Sequence, residues 1–171
     1  MAARKDGFRV VRHLVTDHAS VRRAFPPREL AKVEAAIAAG EATHRGQVCV
    51  AIEGALPAGR VMKNVHPRER ALEVFGLLRV WDTEENCGVL VYLLLADRDV
   101  EIVADRGIHR IVGDAAWQAI CTRMESAFRD GRFAEGVLAG VAEISALLAQ
   151  HFPRTGGESG GNEIADRPVI L

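Results

Sequence analysis

Acidic and polar side chains stand next to three segments of the chain that have the pattern of β-strands. They are Glu41 and His44 before the first segment, Glu84, Glu85 and Asn86 before the second, and Asp105 and His109 after the third. Clustered carboxylates with an amide suit a hard divalent cation such as calcium or magnesium, and histidines beside them would admit manganese or zinc. A metal ion there could activate water for phosphoester hydrolysis. These residues predict a divalent-cation site if the fold brings the three groups together.

The strands and their connections decide whether the groups meet. Gln47–Glu53 alternates and is rich in β-branched residues, residues 87–96 form an apolar run bounded by turn residues, and residues 100–104 follow a tight turn at 97–99. A helix that begins at Pro67 connects the first two strands, which predicts parallel pairing. The tight turn predicts an antiparallel hairpin between the second and third strands.

Helical spacing of apolar residues predicts four helices around this sheet. One begins at Pro26 and Pro27, one runs from Pro67 with Trp81 on its apolar stripe, one begins at Asp114, and the last ends before Pro153. The order of elements predicts an α/β fold. We expect a three-layer α/β/α sandwich with a small mixed sheet and helices on both faces.

The predicted hairpin determines which residues share an edge of the sheet. Paired residue numbers in the hairpin should sum to about 195, which puts Asn86 near His109 and Asp105 near Leu90. Because the first strand runs parallel to the second, its start lies at the same edge. All seven polar candidates should therefore converge there.

Arg106 is close enough to this edge to pair with one of the acids. The alternative interpretation is structural, because the ends of strands carry polar residues in most proteins. Glu41 would then be the solvated last turn of a helix, and His44 would have no ligand role.

Composition narrows the class of protein. The chain has 171 residues, of which 49% are hydrophobic and 26% charged, which is typical of one globular domain. The net charge is -1, which argues against a general nucleic-acid binder. The three cysteines, Cys49, Cys87 and Cys121, form no CxxC pair and lie in apolar segments. They indicate buried thiols in a reducing compartment.

Charge is concentrated at the start of the chain. Residues 1–28 carry seven basic side chains, Arg4, Lys5, Arg9, Arg12, Arg22, Arg23 and Arg28, against Asp6 and Asp17. We expect a basic N-terminal arm over residues 1–25, either solvated, with His13 and His18 exposed, or in contact with an acidic partner or membrane headgroups. The α/β domain should span residues 26–153.

Residues 154–171 are predicted to form a flexible glycine-rich tail whose apolar end docks back on the domain. The first 25 residues lack the apolar core of a secretory signal, and the longest apolar run, at 89–96, is too short to span a membrane. We therefore expect a cytoplasmic protein without a transmembrane segment.

Several catalytic motifs do not occur in the sequence. There is no Walker loop, no GxGxxG, no Cys-x5-Arg phosphatase loop and no G-x-S-x-G elbow. Asp97-Arg98-Asp99-Val100 is similar to an aspartyl-phosphate motif, but Glu101 at its fifth position and the hairpin favour a simple turn.

Three segments together resemble the TPM domain family. Residues 81–90 (W-D-T-E-E-N-C-G-V-L) are similar to its N-G-V-L segment, residues 100–108 (V-E-I-V-A-D-R-G-I) to its V-E-I-V-x-x-x-G-I strand, and residues 128–137 (F-R-D-G-R-F-A-E-G-V) to its F-R-x-G-x-x-x-x-G segment. The resemblance runs from about Pro26 to Pro153. The N-E-x-x-D-R-P end of soluble bacterial members is matched by Asn162-Glu163 and Asp166-Arg167-Pro168.

This resemblance implies a Rossmann-like α/β/α sandwich. Some relatives are described as acid phosphatases, some bind calcium, and others serve in photosystem repair or receptor assembly. Many bacterial relatives are secreted or membrane-anchored. The present sequence departs from them in lacking both features, and in having Cys87 before Gly88.

Two functional hypotheses follow. The first is an accessory protein that binds a divalent cation, a protein partner such as a membrane protein, or both, with Glu41, Glu84, Glu85, Asn86 and Asp105 as metal ligands. The second is a metal-dependent acid phosphatase in which Asp105 helps to hold the ion and His109 or His44 moves protons.

Overall fold

The three-dimensional structure is a computed structural model that describes residues 2–154 and 162–171, with side chains from residue 7 onward. Residues 155–161, on which the prediction of a flexible tail mainly falls, lie outside the described part of the chain. The helices are α1 Ala2–Val15, α2 His18–Ala24, α3 Pro27–Glu41, α4 Ala58–Met62, α5 Pro67–Leu77, α6 Arg106–Val112, α7 Asp114–Arg129 and α8 Phe133–His151. The strands are β1 Gln47–Glu53, β2 Gly88–Leu94, β3 Asp99–Ala104 and β4 Val169–Ile170.

The four strands form one mixed sheet in the order β3-β2-β1-β4. β1 pairs with β2 in parallel, β2 with β3 antiparallel, and β4 adds in parallel to the free side of β1. The predicted pairing of the first three strands is confirmed. The apolar end of the tail also docks back, as expected, by supplying the fourth strand.

The register of the hairpin differs from the prediction by two residues. Val89 pairs with Ala104 and Leu94 pairs with Asp99, so Asp105 lies opposite Gly88 rather than Leu90. The reason is that the connection is centred on Ala96 and Asp97, one residue earlier than expected.

Two separate cores cover the two faces of the sheet. On one face, Val48, Val50 and Ile52 of β1 and their neighbours in β2 pack against α3, α7 and α8. On the other face, Cys49, Ala51, Leu90, Tyr92 and Leu94 pack against α4 and α5. Both faces of β1 and β2 are buried, which explains their almost continuous apolar sequences. The predicted three-layer α/β/α sandwich is therefore confirmed.

Two expectations about exposure are wrong. Trp81 is 49% exposed because α5 ends at Leu77 and the chain turns through Arg79, which has a φ of 54°. His13 is 5% exposed because α1 packs on the domain, with His13 facing inward. Val21 of α2 also belongs to the core, so the start of the chain is a packed helical segment rather than a wholly solvated arm.

Among the described residues, one helix is long and apolar enough to cross a membrane, namely α8. A core helix of a folded domain has the same composition. Val137, Val141, Ile144 and Leu148 of α8 are indeed buried in the core beside the sheet. The absence of a transmembrane segment remains a prediction.

Candidate functional site

The three predicted polar groups lie at the same edge of the sheet. Gln47 pairs with Gly88 across β1 and β2, and Val89 pairs with Ala104 across β2 and β3. The backbone N–H of Asp105 donates to the carbonyl oxygen of Gly88 at 2.8 Å. We call this region, residues 41–47, 82–88 and 104–109, the acidic edge. It contains the starts of the two parallel strands, opposite to the strand ends where ligands bind in most α/β proteins.

Asp105 is one of two buried carboxylates of this edge among the described residues. Its Oδ1 atom accepts a hydrogen bond of 2.6 Å from the backbone N–H of Arg106 and thereby caps α6. The residue is 9% exposed, and its Oδ2 atom has no hydrogen-bond partner in the described part of the chain. Such an atom is costly to bury unless a donor, a water molecule or a cation faces it.

Two main-chain carbonyl oxygens face the first turn of α6. A Cβ atom placed on Gly107 would lie 2.5 Å from the oxygen of Asn86 and 3.3 Å from that of Glu85. Glycine is therefore required at this position, because a larger residue would push the two loops apart. The approach depends on Asn86, whose φ of 52° is one that asparagine tolerates better than most residues. Its side chain is exposed.

Glu41 is buried at this edge, and its hydrogen bond is to the backbone. Its Oε1 atom accepts from the N–H of Val48 at 2.8 Å, which fixes the end of α3 on the start of β1. Burial is the main cause that raises the pKa of Glu41 to about 7; the hydrogen bond from Val48 and the charge of Arg154 oppose this shift, and the nearby Asp166 adds to it. The alternative interpretation of Glu41 as part of a solvated last helical turn is wrong, because its side chain is buried.

His44 is fully buried. Its Nδ1 atom lies 3.0 Å from the carbonyl oxygen of Gly46 and must donate to it, so the neutral ring carries its proton there. Burial lowers the pKa of His44 to about 4. The Nε2 atom has no hydrogen-bond partner among the described residues. The ring can therefore stay neutral, but its burial removes it from any substrate on the surface.

The exposed members of the edge are bound by ion pairs and by the tail. Glu85 accepts from Arg45 at 2.6 Å. Glu84 is held through its backbone, whose N–H donates to the Oε2 atom of Glu163 at 3.0 Å. Over residues 7–154 and 162–171, no group of three or more His, Cys, Asp or Glu side chains is arranged to hold a metal ion. The residues share an edge without forming a cluster of side-chain ligands.

His109 lies one turn along α6 from Asp105, to whose carbonyl its N–H donates at 2.8 Å. Its ring is half exposed, and Nε2 lies 3.5 Å from Asp114. It lines a groove of about 630 Å³ together with His66 and Arg68. Arg106 is exposed and forms no ion pair with the predicted acids in the part of the chain that the structure describes.

The sequence interpretation missed the residues that tie the tail to this edge. The Oε1 atom of Gln47 accepts from the backbone N–H groups of Glu163 and Ile164 at 2.9 and 3.1 Å. The amide of Asn162 donates to Asp166 at 2.7 Å. The N-E-x-x-D-R-P stretch was the available signal, and its first two residues and its aspartate make these contacts.

A second polar centre at the opposite edge was also missed. The carboxylate of Asp97 lies 2.9 Å from the guanidinium groups of Arg9 and Arg12, and 3.2 Å from Nε2 of His13. Burial works to raise the pKa of Asp97, but hydrogen bonds from His13 and Arg9 lower it to about 2. The Nδ1 atom of His13 accepts from the N–H of Leu56, so the ring proton lies on Nε2, toward Asp97. This centre fastens α1 to the domain.

Comparison with family models matches residues 15–147 to the TPM domain. The chain belongs to the TPM domain family. The resemblance inferred from three sequence segments is thus confirmed, and the match extends into the N-terminal helices.

One similar solved structure is the NMR structure of BA42 protein from the psychrophilic bacterium Bizionia argentinensis. The two chains are 24% identical and superpose with a TM-score of 0.73 over 84% of this chain and 93% of BA42. At this identity the likeness shows the fold alone. A comparison with curated proteins gave no match.

Proposed function

We propose that this TPM-domain chain is an accessory protein that binds a divalent cation, calcium or magnesium, at the acidic edge and binds a partner through another surface. The observation that carries the cation site is the Oδ2 atom of Asp105, which has no hydrogen-bond partner among the described residues. Asp105 lies at the start of α6, and the carbonyl oxygens of Glu85 and Asn86 lie beside Gly107 in the first turn of that helix. One carboxylate with main-chain carbonyl oxygens is a donor set that suits a hard cation with bound waters.

The donor types favour calcium or magnesium over zinc. The residues near Asp105 offer oxygen atoms, whereas zinc prefers nitrogen or sulfur ligands. His44 is buried with its Nδ1 atom committed to Gly46. The predicted ligands Glu41 and Glu85 already have protein partners at Val48 and Arg45. We therefore narrow the proposed ligands to Asp105 and the carbonyl groups of Glu85 and Asn86.

The cation site is tested by calorimetric titration of the purified chain with calcium chloride and with magnesium chloride. The Asp105→Asn variant keeps an oxygen that caps α6 but removes the charge, so we expect its affinity to fall at least about tenfold. Asp130→Asn is the matched control, because Asp130 is exposed and lies outside the acidic edge. Equal affinity of Asp105→Asn and wild type for the cation would contradict the proposed site at Asp105.

The second candidate function is a metal-dependent acid phosphatase. It is favoured by His109, which is half exposed, lies one turn from Asp105, and shares a groove with Arg68. A bound cation would supply Lewis acidity toward a phosphoester. Arg68 would attract the phosphate, although its Nη1 atom already donates to the carbonyl of Ile102. His109 would hold or release a proton at Nε2.

Hydrolysis of p-nitrophenyl phosphate, measured with and without added magnesium or calcium, separates the two functions. A phosphatase should lose at least about a hundredfold of its activity in His109→Asn, because a general acid or base contributes that much or more. Cation binding with no metal-dependent hydrolysis would support the accessory function. Hydrolysis that survives in both His109→Asn and Asp105→Asn would contradict the phosphatase at this edge.

A further inference from the structure

Helix α1 presents an apolar face to solvent. Phe8, Val11, Leu14 and Val15 are each more than half exposed. Residues 8, 11 and 15 recur at helical spacing and form one stripe along the helix. The opposite face carries His13, which is buried beside Asp97. The helix is thus anchored on one side and leaves four large apolar side chains on the other.

A basic groove adjoins this stripe. It has a volume of about 390 Å³, and three arginines line it, namely Arg12, Arg23 and Arg98. Val15, Thr16 and Ser20 also line it. Among the residues that the structure describes, none with a carboxylate lines this groove. Its chemistry suits a phosphate group.

The stripe and the groove form one continuous surface. Val15 belongs to both. The guanidinium carbon of Arg12, which lines the groove, lies 5.9 Å from the centre of the Phe8 ring. We call the four apolar residues together with the groove the α1 surface.

Acidic residues adjoin this surface and neutralise part of it. Asp97 is paired with Arg9 and Arg12. Asp99 and Glu125 line a neighbouring hollow, which Phe8, Arg12 and Arg98 also line. The positive charge left for a phosphate is that of Arg23 and Arg98, which form no ion pair within the part of the chain that the structure describes.

We propose that the α1 surface binds a bilayer that contains anionic phospholipid, with the apolar stripe in the interfacial region and a lipid phosphate in the groove. This proposal rests on the accessory function proposed above and names the partner of its second surface. Amphipathic helices with a basic flank bind membranes in this way, by apolar burial together with electrostatic attraction.

Charge complementarity favours a membrane over a small acidic ligand. Residues 1–28 carry seven basic and two acidic side chains, while the whole chain has a net charge of -1. A small anion would fill the groove but leave the exposed apolar side chains of Phe8, Val11 and Leu14 in water. An anionic lipid surface offers phosphate to the groove and hydrocarbon to the stripe at the same time.

The test is sedimentation of the full chain with vesicles of phosphatidylcholine alone and of phosphatidylcholine mixed with phosphatidylglycerol. We expect binding to the mixed vesicles only, weakened by high salt. The Phe8→Ser/Val15→Ser variant and the Arg23→Gln/Arg98→Gln variant should each lower the partition coefficient about tenfold or more.

Two control variants carry the same kinds of substitution outside the α1 surface. Met62→Ser/Leu77→Ser removes two exposed apolar side chains from other parts of the surface. Arg110→Gln/Arg167→Gln removes two exposed positive charges elsewhere. Both control variants should bind mixed vesicles like wild type. All substituted side chains are on the surface, and circular dichroism with a thermal melt confirms that each variant is folded.

Three results would overturn the proposal: no binding to mixed vesicles, equal binding to both vesicle types, or loss of binding in the controls as well. Binding to an acidic amphipathic peptide but not to vesicles would assign the surface to a protein partner instead. Repeating the sedimentation assay in EDTA, which removes free divalent cations, separates membrane binding from cation binding at the acidic edge. Asp105→Asn should bind vesicles normally whether or not it has lost cation affinity.

Discussion

The carboxylate of Glu41 accepts a hydrogen bond of 2.8 Å from the backbone N–H of Val48, across the loop between the end of α3 and the start of β1. This bond gives the backbone N–H at the start of β1 an acceptor on a buried side chain. The same burial raises the pKa of Glu41 to about 7 from an ordinary value of 4.5. The folded chain therefore binds a proton that the unfolded chain has released by neutral pH.

Glu41→Gln should raise the free energy of unfolding at neutral and alkaline pH but not in acid. The stabilisation from protonated Glu41 is complete below pH 4.5 and is lost as the pH rises to about 7, whereas glutamine stays neutral and keeps an oxygen for Val48. We expect the variant to match wild type near pH 4.5 and to exceed its free energy of unfolding by about 3 kcal/mol at pH 8. Urea unfolding followed by the fluorescence of buried Trp117 measures this difference. A constant difference at all pH values would contradict the assignment.

His44 should show the opposite pH dependence. Its pKa falls from 6.5 to about 4 on burial, so between these pH values the unfolded chain binds a proton that the folded chain does not bind. The free energy of unfolding is therefore lost as the pH falls from 6.5 toward 4. His44→Asn keeps a donor for the carbonyl of Gly46 and removes the titration. We expect this variant to be less stable overall but to lose about 2 kcal/mol less than wild type between pH 7 and pH 4.5.

The two effects oppose each other in wild type. As the pH falls from 7 to 5, protonation of Glu41 raises the free energy of unfolding, whereas the low pKa of buried His44 lowers it. The net pH dependence of wild type between pH 7 and pH 5 should then come mainly from other groups, such as Asp99, whose pKa burial raises to about 7. The matched experiment is the double variant, which should show the same slope as wild type. A double variant whose slope differs clearly from that of wild type would show that the two effects do not cancel.

The sequence allowed the sheet to be predicted because each strand carries its own signal. The β-branched residues of Gln47–Glu53 and the apolar run at β2 are buried on both faces, and the hairpin follows from a short connection. From these, the shared edge followed by geometry alone. A one-residue error in the centre of the turn displaced the register without moving Asp105 off that edge.

The contacts of the individual site residues could not be predicted in the same way. Helix α6 has only seven residues, too few for an apolar period, so Asp105 could not be recognised as its cap. The hydrogen-bond and ion-pair partners of Glu41, Gln47 and Asp97 are backbone groups or side chains distant in sequence. Helix α1 was not recognised within the predicted basic arm, because its apolar residues are divided between the core and the solvent.

Asp97→Asn should loosen α1. The carboxylate is 9% exposed and faces Arg9, Arg12 and His13, so its loss removes the one negative charge that these three side chains share and weakens the contact of α1 with the domain. We expect a loss of about 3 kcal/mol in the free energy of unfolding. Amide hydrogen exchange should also accelerate along α1. The exposed Asp130→Asn should change stability by no more than about 0.5 kcal/mol. Unchanged exchange in α1 would show that other contacts hold the helix.

Gly88→Ala should damage the start of β2. A Cβ atom at this position would lie 1.9 Å from the carbonyl oxygen of Val80, a backbone atom that cannot move aside without displacing the loop from α5. We expect a loss of about 3 kcal/mol in the free energy of unfolding from this overpacking. Calcium affinity should also fall, because residues 82–88 carry the carbonyl groups proposed as ligands.

The matched control is Gly76→Ala. Gly76 lies in α5, where an added Cβ meets no atom within 4 Å, so alanine should stabilise the helix by about 0.5–1 kcal/mol. The two variants make the same chemical change with opposite expected signs, and thermal or urea unfolding distinguishes them directly. If Gly88→Ala were as stable as wild type, the contact between Val80 and the start of β2 would have to be looser than described, and the loop could not hold the carbonyl oxygens of Glu85 and Asn86 against Gly107.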